Sequence, residues 1–135
     1  MLDNGLQITA GVVLLSVIGI AYGGTFLLRV TRGGVPANDL QKSFFRAGHA
    51  HAGVLVILGL LVLLYMRLGD VGRPWAALAS GVLIAAILMP AGFFLSVVGR
   101  DPQRPNAFIG VLWAGAAALT VGLAGAGIGL ITAGA

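Results

Sequence analysis

The chain is 135 residues long, 59% hydrophobic and only 9% charged, with a formal net charge of +4 and a mean hydropathy of +1.03. A soluble domain carries about 25% charged residues to keep its surface wet, so much of this surface must face lipid. The basic residues are scattered through short connections, which excludes a nucleic-acid-binding stripe, and the absence of cysteine excludes disulfides and thiolate chemistry.

Met1-Leu2-Asp3-Asn4 lacks the basic start of a cleavable signal, and the apolar run behind it is too long for one. The first run is therefore expected to be a retained span. A bilayer core of about 30 Å needs about 20 apolar helical residues. In chain order, four segments qualify: about 8–28, 50–66, 74–98 and 107–131. None carries a charge in its interior. A helix satisfies its own backbone in lipid, and the alternating segments of a β-barrel are absent. The expected fold is an all-α membrane protein, one four-transmembrane-helix bundle over residues 1–135, with the lipid bilayer as its first partner.

The three connections are polar and basic. The first holds Arg29, Arg32, Lys42 and Arg46, the second Arg67 and Arg73, and the third Arg100 and Arg104. Loops one and three lie on the same side of a four-span protein and carry six basic residues against two. The positive-inside rule then places loops one and three in the cytoplasm and both termini outside. The Ala/Gly/Arg-rich, Lys-poor composition points to a bacterial protein, hence to the inner (plasma) membrane.

Within loop one, Gly33-Gly34-Val35-Pro36 reads as a break. Asn38 followed by Gln41 resembles a capping box, so the second helix is expected to start near Asp39 and reach about Leu68. At 1.5 Å per residue it would be roughly 45 Å long and would stand out of the membrane at its start. Pro74 suits the first turn of the third span, and Pro90 is expected to kink it. Gly19 with Gly23, Gly125 with Gly129, and Ala77 with Gly81 are small-xxx-small pairs that allow close helix approach, inside one bundle or between subunits of a homo-oligomer.

The most distinctive segment is Arg46-Ala47-Gly48-His49-Ala50-His51-Ala52-Gly53, which holds both histidines. On a helix His49 and His51 point about 200° apart, so one chain cannot use both on one ion. Either is a candidate axial ligand to haem or a metal ligand, although no cofactor follows from the sequence. Arg46 and His49 share a helix face. If the helices alternate in direction, the starts of the second and fourth spans share one end of the bundle. Arg46, His49, His51, Arg100, Arg104 and Asn106 are then the candidate ligand-binding residues, suited to a phosphate headgroup or a carboxylated amphiphile. No nucleophile, general base or phosphate-cradling loop is visible.

Leu40-Gln41-Lys42-Ser43-Phe44-Phe45-Arg46 and Pro102-Gln103-Arg104-Pro105-Asn106-Ala107-Phe108 resemble the segments that open the second and fourth helices of the MAPEG superfamily, which includes the microsomal glutathione transferases. The resemblance implies four spans, outward termini, a long second helix, and a homotrimer with ligand pockets between subunits. Where that family carries an Asn and a Glu after the Arg for glutathione, this chain has Ala50 and Gly53. His-Ala-His near a helix start is also similar to haem-copper oxidase-related membrane proteins. Three functions follow as expectations: a bundle binding a lipid, a partner subunit or a small anionic amphiphile; a divergent MAPEG-like enzyme; or a haem- or metal-binding protein using His49 or His51.

Overall fold

The computed structural model describes residues 3–135; Met1 and Leu2, the start of the N-terminal segment considered above, lie outside the described residues. The described residues form helices and turns, with no strand. The helices are α1 (Asn4–Thr31), α2 (Asp39–Leu68), α3 (Trp75–Ala79), α4 (Gly81–Leu95) and α5 (Ile109–Gly134). Taking α3 and α4 as one span, four helical segments are long and apolar enough to cross a membrane. The chain is an all-α, multi-pass membrane protein.

Local chemistry sets the boundaries. The Asp3 carboxylate accepts from Leu6 N at 2.8 Å and opens α1. After Thr31 the chain turns at Gly33, whose φ of 76° suits glycine. The capping box at α2 is complete: Asn38 Oδ1 accepts from Gln41 N at 2.9 Å, and Gln41 Oε1 accepts from Asn38 N at 3.1 Å. The helix then runs 30 residues unbroken, about 45 Å by the helical rise, longer than a bilayer core.

Span three is interrupted at Ser80, where Oγ donates to Ala77 O at 2.6 Å, while α4 keeps its helical course through the buried Pro90 to Leu95. The expected start of span four at Ala107 moves to Ile109, because Asn106 builds a turn. Its Oδ1 accepts from Phe108 N at 2.9 Å, and its carbonyl accepts from Ile109 N at 3.1 Å.

The tightest packing joins span three to α5. Gly81, Gly92, Gly115, Gly122, Gly125 and Gly129 are buried along this seam. A Cβ at Gly122 would stand 2.6 Å from Val82 N, and one at Gly115 2.6 Å from Met89 Cγ. One at Gly92 would run into the Leu112 backbone. Without hydrophobic drive between helices in lipid, such backbone-to-backbone approach is what dispersion can use.

The glycine pairs divide accordingly. Gly125 and Gly129 pack on Leu78 and Trp75 inside the bundle, and Gly81 packs on Ala118 and Gly122. Gly19 meets nothing within 4 Å. α2 lies between α1 and α4, with Leu55, Ala85 and Met89 forming a core cluster. Among the described helices α1 packs on α2 alone and leaves Ile8, Leu15, Ile18 and Tyr22 on its outer face.

Candidate functional site

The helix directions gather loops one and three at one end of the bundle. Loop two meets the start of α1 and the end of α5 at the other: Asp3 and Leu6 flank a cleft with Arg67 and Asp70, and Gly129 packs on Val71. Six of the eight basic residues therefore stand at the loop-one and loop-three end. The two loops are bonded together. Asn38 Nδ2 donates to Asp101 Oδ1 at 2.9 Å and to Pro102 O at 2.7 Å. Gln41, buried, donates from Nε2 to Val97 O and Gly99 O, both at 3.1 Å. The residues that cap α2 thus also hold loop three. Asp101 sits at φ 50°, a left-handed conformation that Asp tolerates better than most residues.

Asn106 secures the same loop from its far side. Its N–H donates to Ser96 O at 2.7 Å and its Nδ2 to Leu95 O at 2.9 Å. With Oδ1 accepting from Phe108, every polar group of this side chain is engaged within the fold. Both carbonyls lie at the end of α4, where helical partners run out, and Leu95 O also accepts from Val98 N at 3.4 Å.

Below the loops, aromatic rings gear the start of α2 to its neighbours. Phe45 meets Phe26 of α1 edge-on at 5.3 Å and stacks on Phe94 of α4 at 5.5 Å. Phe44 meets Phe93 at 5.6 Å. Gly48 lies beneath the Phe94 ring and the Phe93 Cβ: a Cβ there would stand 2.8 Å from Phe94 Cε2 and 3.1 Å from Phe93 Cβ.

The histidines diverge, as their spacing requires. His51 lies against Phe93, ring centroids 4.9 Å apart, and its Nδ1–H donates to Ala47 O at 2.7 Å. His49 turns to α1. Its Nδ1 would be 3.6 Å from a Cβ at Gly23, and its Nε2 3.7 Å from one at Gly24. These are ordinary contact distances, so the two glycines leave about a methyl group of free space beside the ring. Among the described residues, neither His49 nitrogen has a hydrogen-bond partner, and neither is fully enclosed.

Arg46 and Arg100 line separate clefts. Arg46 lines a cleft of about 140 Å³ with Lys42, Leu27, Val30 and Thr31, between the end of α1 and the start of α2. Arg100 lines a larger cleft, about 580 Å³, with Pro36, Ala37, Asn38, Gln41, Gly99 and Asp101. Arg104 is exposed in loop three. Among the described residues Arg46 makes no ion pair, whereas Lys42 Nζ lies 3.6 Å from Asp39 Oδ1. Lys42 joins Arg46 in its cleft and is a site residue beyond those expected from the sequence. Its signal was present in the spacing, because positions 42, 46 and 49 fall at i, i+4 and i+7 on one helix face. The double duty of Asn38 and Gln41 had no local signal, since their loop-three partners are 56 to 64 residues away.

Among the described residues, no group of three or more His, Asp or Glu side chains is placed to hold a metal ion. No family model matches this chain, and neither a curated protein nor a solved structure matches it at a significant level.

Proposed function

We propose that this protein is a multi-pass protein of a bacterial plasma membrane that binds an anionic amphiphile in the groove between α1 and α2. The observation that carries the reading is the cleft in which Lys42 and Arg46 stand one helical turn apart over an apolar wall of Leu27 and Val30. A cation pair at the membrane surface attracts anionic headgroups by about 1 kcal/mol per Lys or Arg. An apolar wall beside it suits an acyl chain but not a simple counterion. Arg46 is the stronger anchor, since Lys42 is shared with Asp39.

Reconstitution in nanodiscs of phosphatidylglycerol and phosphatidylcholine, followed by native mass spectrometry, tests the reading. The wild type is expected to retain phosphatidylglycerol, and the Lys42→Ala/Arg46→Ala double variant to lose it. Equal retention of both lipids by both proteins overturns the reading.

The six-to-two division of basic residues between the two ends supports loops one and three being cytoplasmic and both termini outside. The chain lacks cysteine, so a single cysteine at Gly34 or Gly72 is a unique label site. In intact cells, an impermeant maleimide is expected to reach position 72 and not position 34. The opposite pattern inverts the topology.

A second reading is a haem site at His51. The Nδ1–H bond to Ala47 O leaves Nε2 with the free lone pair, the arrangement in which a ligating imidazole is commonly held. A Soret band lost in His51→Ala supports it, and a colourless preparation from haem-replete cells removes it. A third reading is a MAPEG-like membrane enzyme. The overlong α2 with its basic first turns supports it. A homotrimer in mild detergent with thiol-conjugating activity is expected in that case, and an inactive monomer removes it.

A further inference from the structure

The groove does not end at the two cations. Lys42, Arg46, His49 and Gly53 follow one another along the same stripe of α2, at spacings of four, three and four residues. At 1.5 Å per residue, His49 lies about 4.5 Å further along the helix than Arg46, one helical step toward the membrane interior. Facing this stripe, α1 runs antiparallel. Val30 and Leu27 stand by the cations, and Gly24 and Gly23 stand by the imidazole. The space at Gly53 and at Gly19 is open beyond them.

His49 is the unusual member. A neutral imidazole always carries one N–H, whichever tautomer is present, and a donor without an acceptor in a low-dielectric setting costs free energy. His51 satisfies its own with Ala47 O. His49 has no such partner among the described residues, and its ring nitrogens open onto the groove between the helices. An acceptor supplied by the bilayer completes it.

We propose that the groove seats one diacyl glycerophospholipid with an anionic headgroup. The phosphate lies at Lys42 and Arg46, an ester carbonyl accepts a hydrogen bond from His49, and an acyl chain follows the open glycine surface past Gly53. The proposal rests on the cation cleft being an anion site, and adds the class of ligand. A glycerophospholipid places an ester carbonyl a short glycerol backbone away from its phosphate, on the hydrocarbon side. A free fatty acid has a single polar group and leaves His49 unpaired.

Native mass spectrometry titration of the full chain in neutral detergent tests this with three probes: dioleoyl phosphatidylglycerol, its di-O-alkyl ether analogue, and oleate. The ether lipid keeps the phosphate and removes the ester carbonyl. The wild type is expected to bind the ester lipid about fivefold more tightly than the ether, as one hydrogen bond of ordinary strength would produce. His49→Phe is expected to erase the difference without weakening the ether lipid, and His49→Gln, which keeps an N–H donor, to restore part of it.

Equal binding of ester and ether lipids by the wild type overturns the role of His49, and so does a full preference in His49→Phe. Oleate binding as tight as that of the phospholipid overturns the ligand class. The parent reading fails separately, if Lys42→Ala/Arg46→Ala loses affinity for neither lipid. The wild-type comparison of ester and ether needs no substitution, so a variant that misfolds does not leave the question open.

Discussion

Two glycine-rich interfaces of this bundle work in opposite ways. Where span three meets α5, each glycine leaves out a Cβ that would strike its neighbour, with backbone the nearest atom in three cases: Gly122 against Val82 N, Gly81 against Ala118 O and Gly92 against Leu112. Where α1 meets α2, Gly19 and Gly53 have nothing within 4 Å, and Gly23 and Gly24 leave a gap beside His49. The first arrangement is a closed seam that fixes two spans as one body. The second is a groove with unfilled space, a cation pair at its mouth and an imidazole that lacks an acceptor among the described residues. Glycine content alone therefore says nothing about rigidity. What the missing Cβ would have touched decides it.

The contrast is broken most strongly at Gly92. In Gly92→Ala the new methyl meets the Leu112 backbone, which cannot yield as a side chain would. A loss of about 3 kcal/mol is expected, at the upper end for overpacking, read as unfolding in detergent at lower denaturant. Phe45→Ala should cost less, about 2 kcal/mol, because it removes two ring contacts worth about 1 kcal/mol each and lets α1 loosen. Spin-label distances between α1 and α2 should broaden in that variant, while those between α4 and α5 should not.

Gln41→Ala is expected to cost about 1 to 2 kcal/mol by opening the capping box and releasing Val97 O and Gly99 O. Faster proteolysis within loop three would report the release. Gly19→Ala sharpens the contrast by doing nothing: its methyl enters open space, and the unfolding midpoint should stay within about 0.5 kcal/mol of wild type.

The parts of this fold that are local in sequence were readable from it. Apolar run length marks four spans, and the Asn38-to-Gln41 spacing marks the start of α2 well before its apolar run begins. The 200° divergence of His49 and His51 is simple helix geometry, and the two rings do face different helices. The interruption at Ser80 was not readable, because Ser80 gives a weaker local signal than Pro90, which lies inside the continuous helix α4.

The seam was only partly readable. Gly125 and Gly129 belong to it, but Gly19 and Gly23, equally good by spacing, do not close against another helix. Twenty-two glycines make such pairs common, and which of them meet a partner depends on tertiary packing. The seven-residue recurrence of Gly115, Gly122 and Gly129 would have been a better guide than any single pair. At the candidate site, Arg46 and His49 were legible as one helix face. Arg100 and Asn106 were grouped with them only by sharing an end of the bundle, and the fold puts Arg100 in a different cleft and engages Asn106 in a turn.

The division between closed seam and open groove is tested most directly by Gly122→Ala and Gly23→Ala, measured side by side for unfolding in detergent and for phosphatidylglycerol retained in native mass spectrometry. Gly122→Ala is expected to unfold far more easily than wild type, with unchanged lipid retention in the folded fraction. Gly23→Ala is expected to unfold as the wild type does while retaining less lipid, since its methyl fits without strain but narrows the space beside His49. Two variants that lower stability alike and leave lipid retention alike would contradict the account.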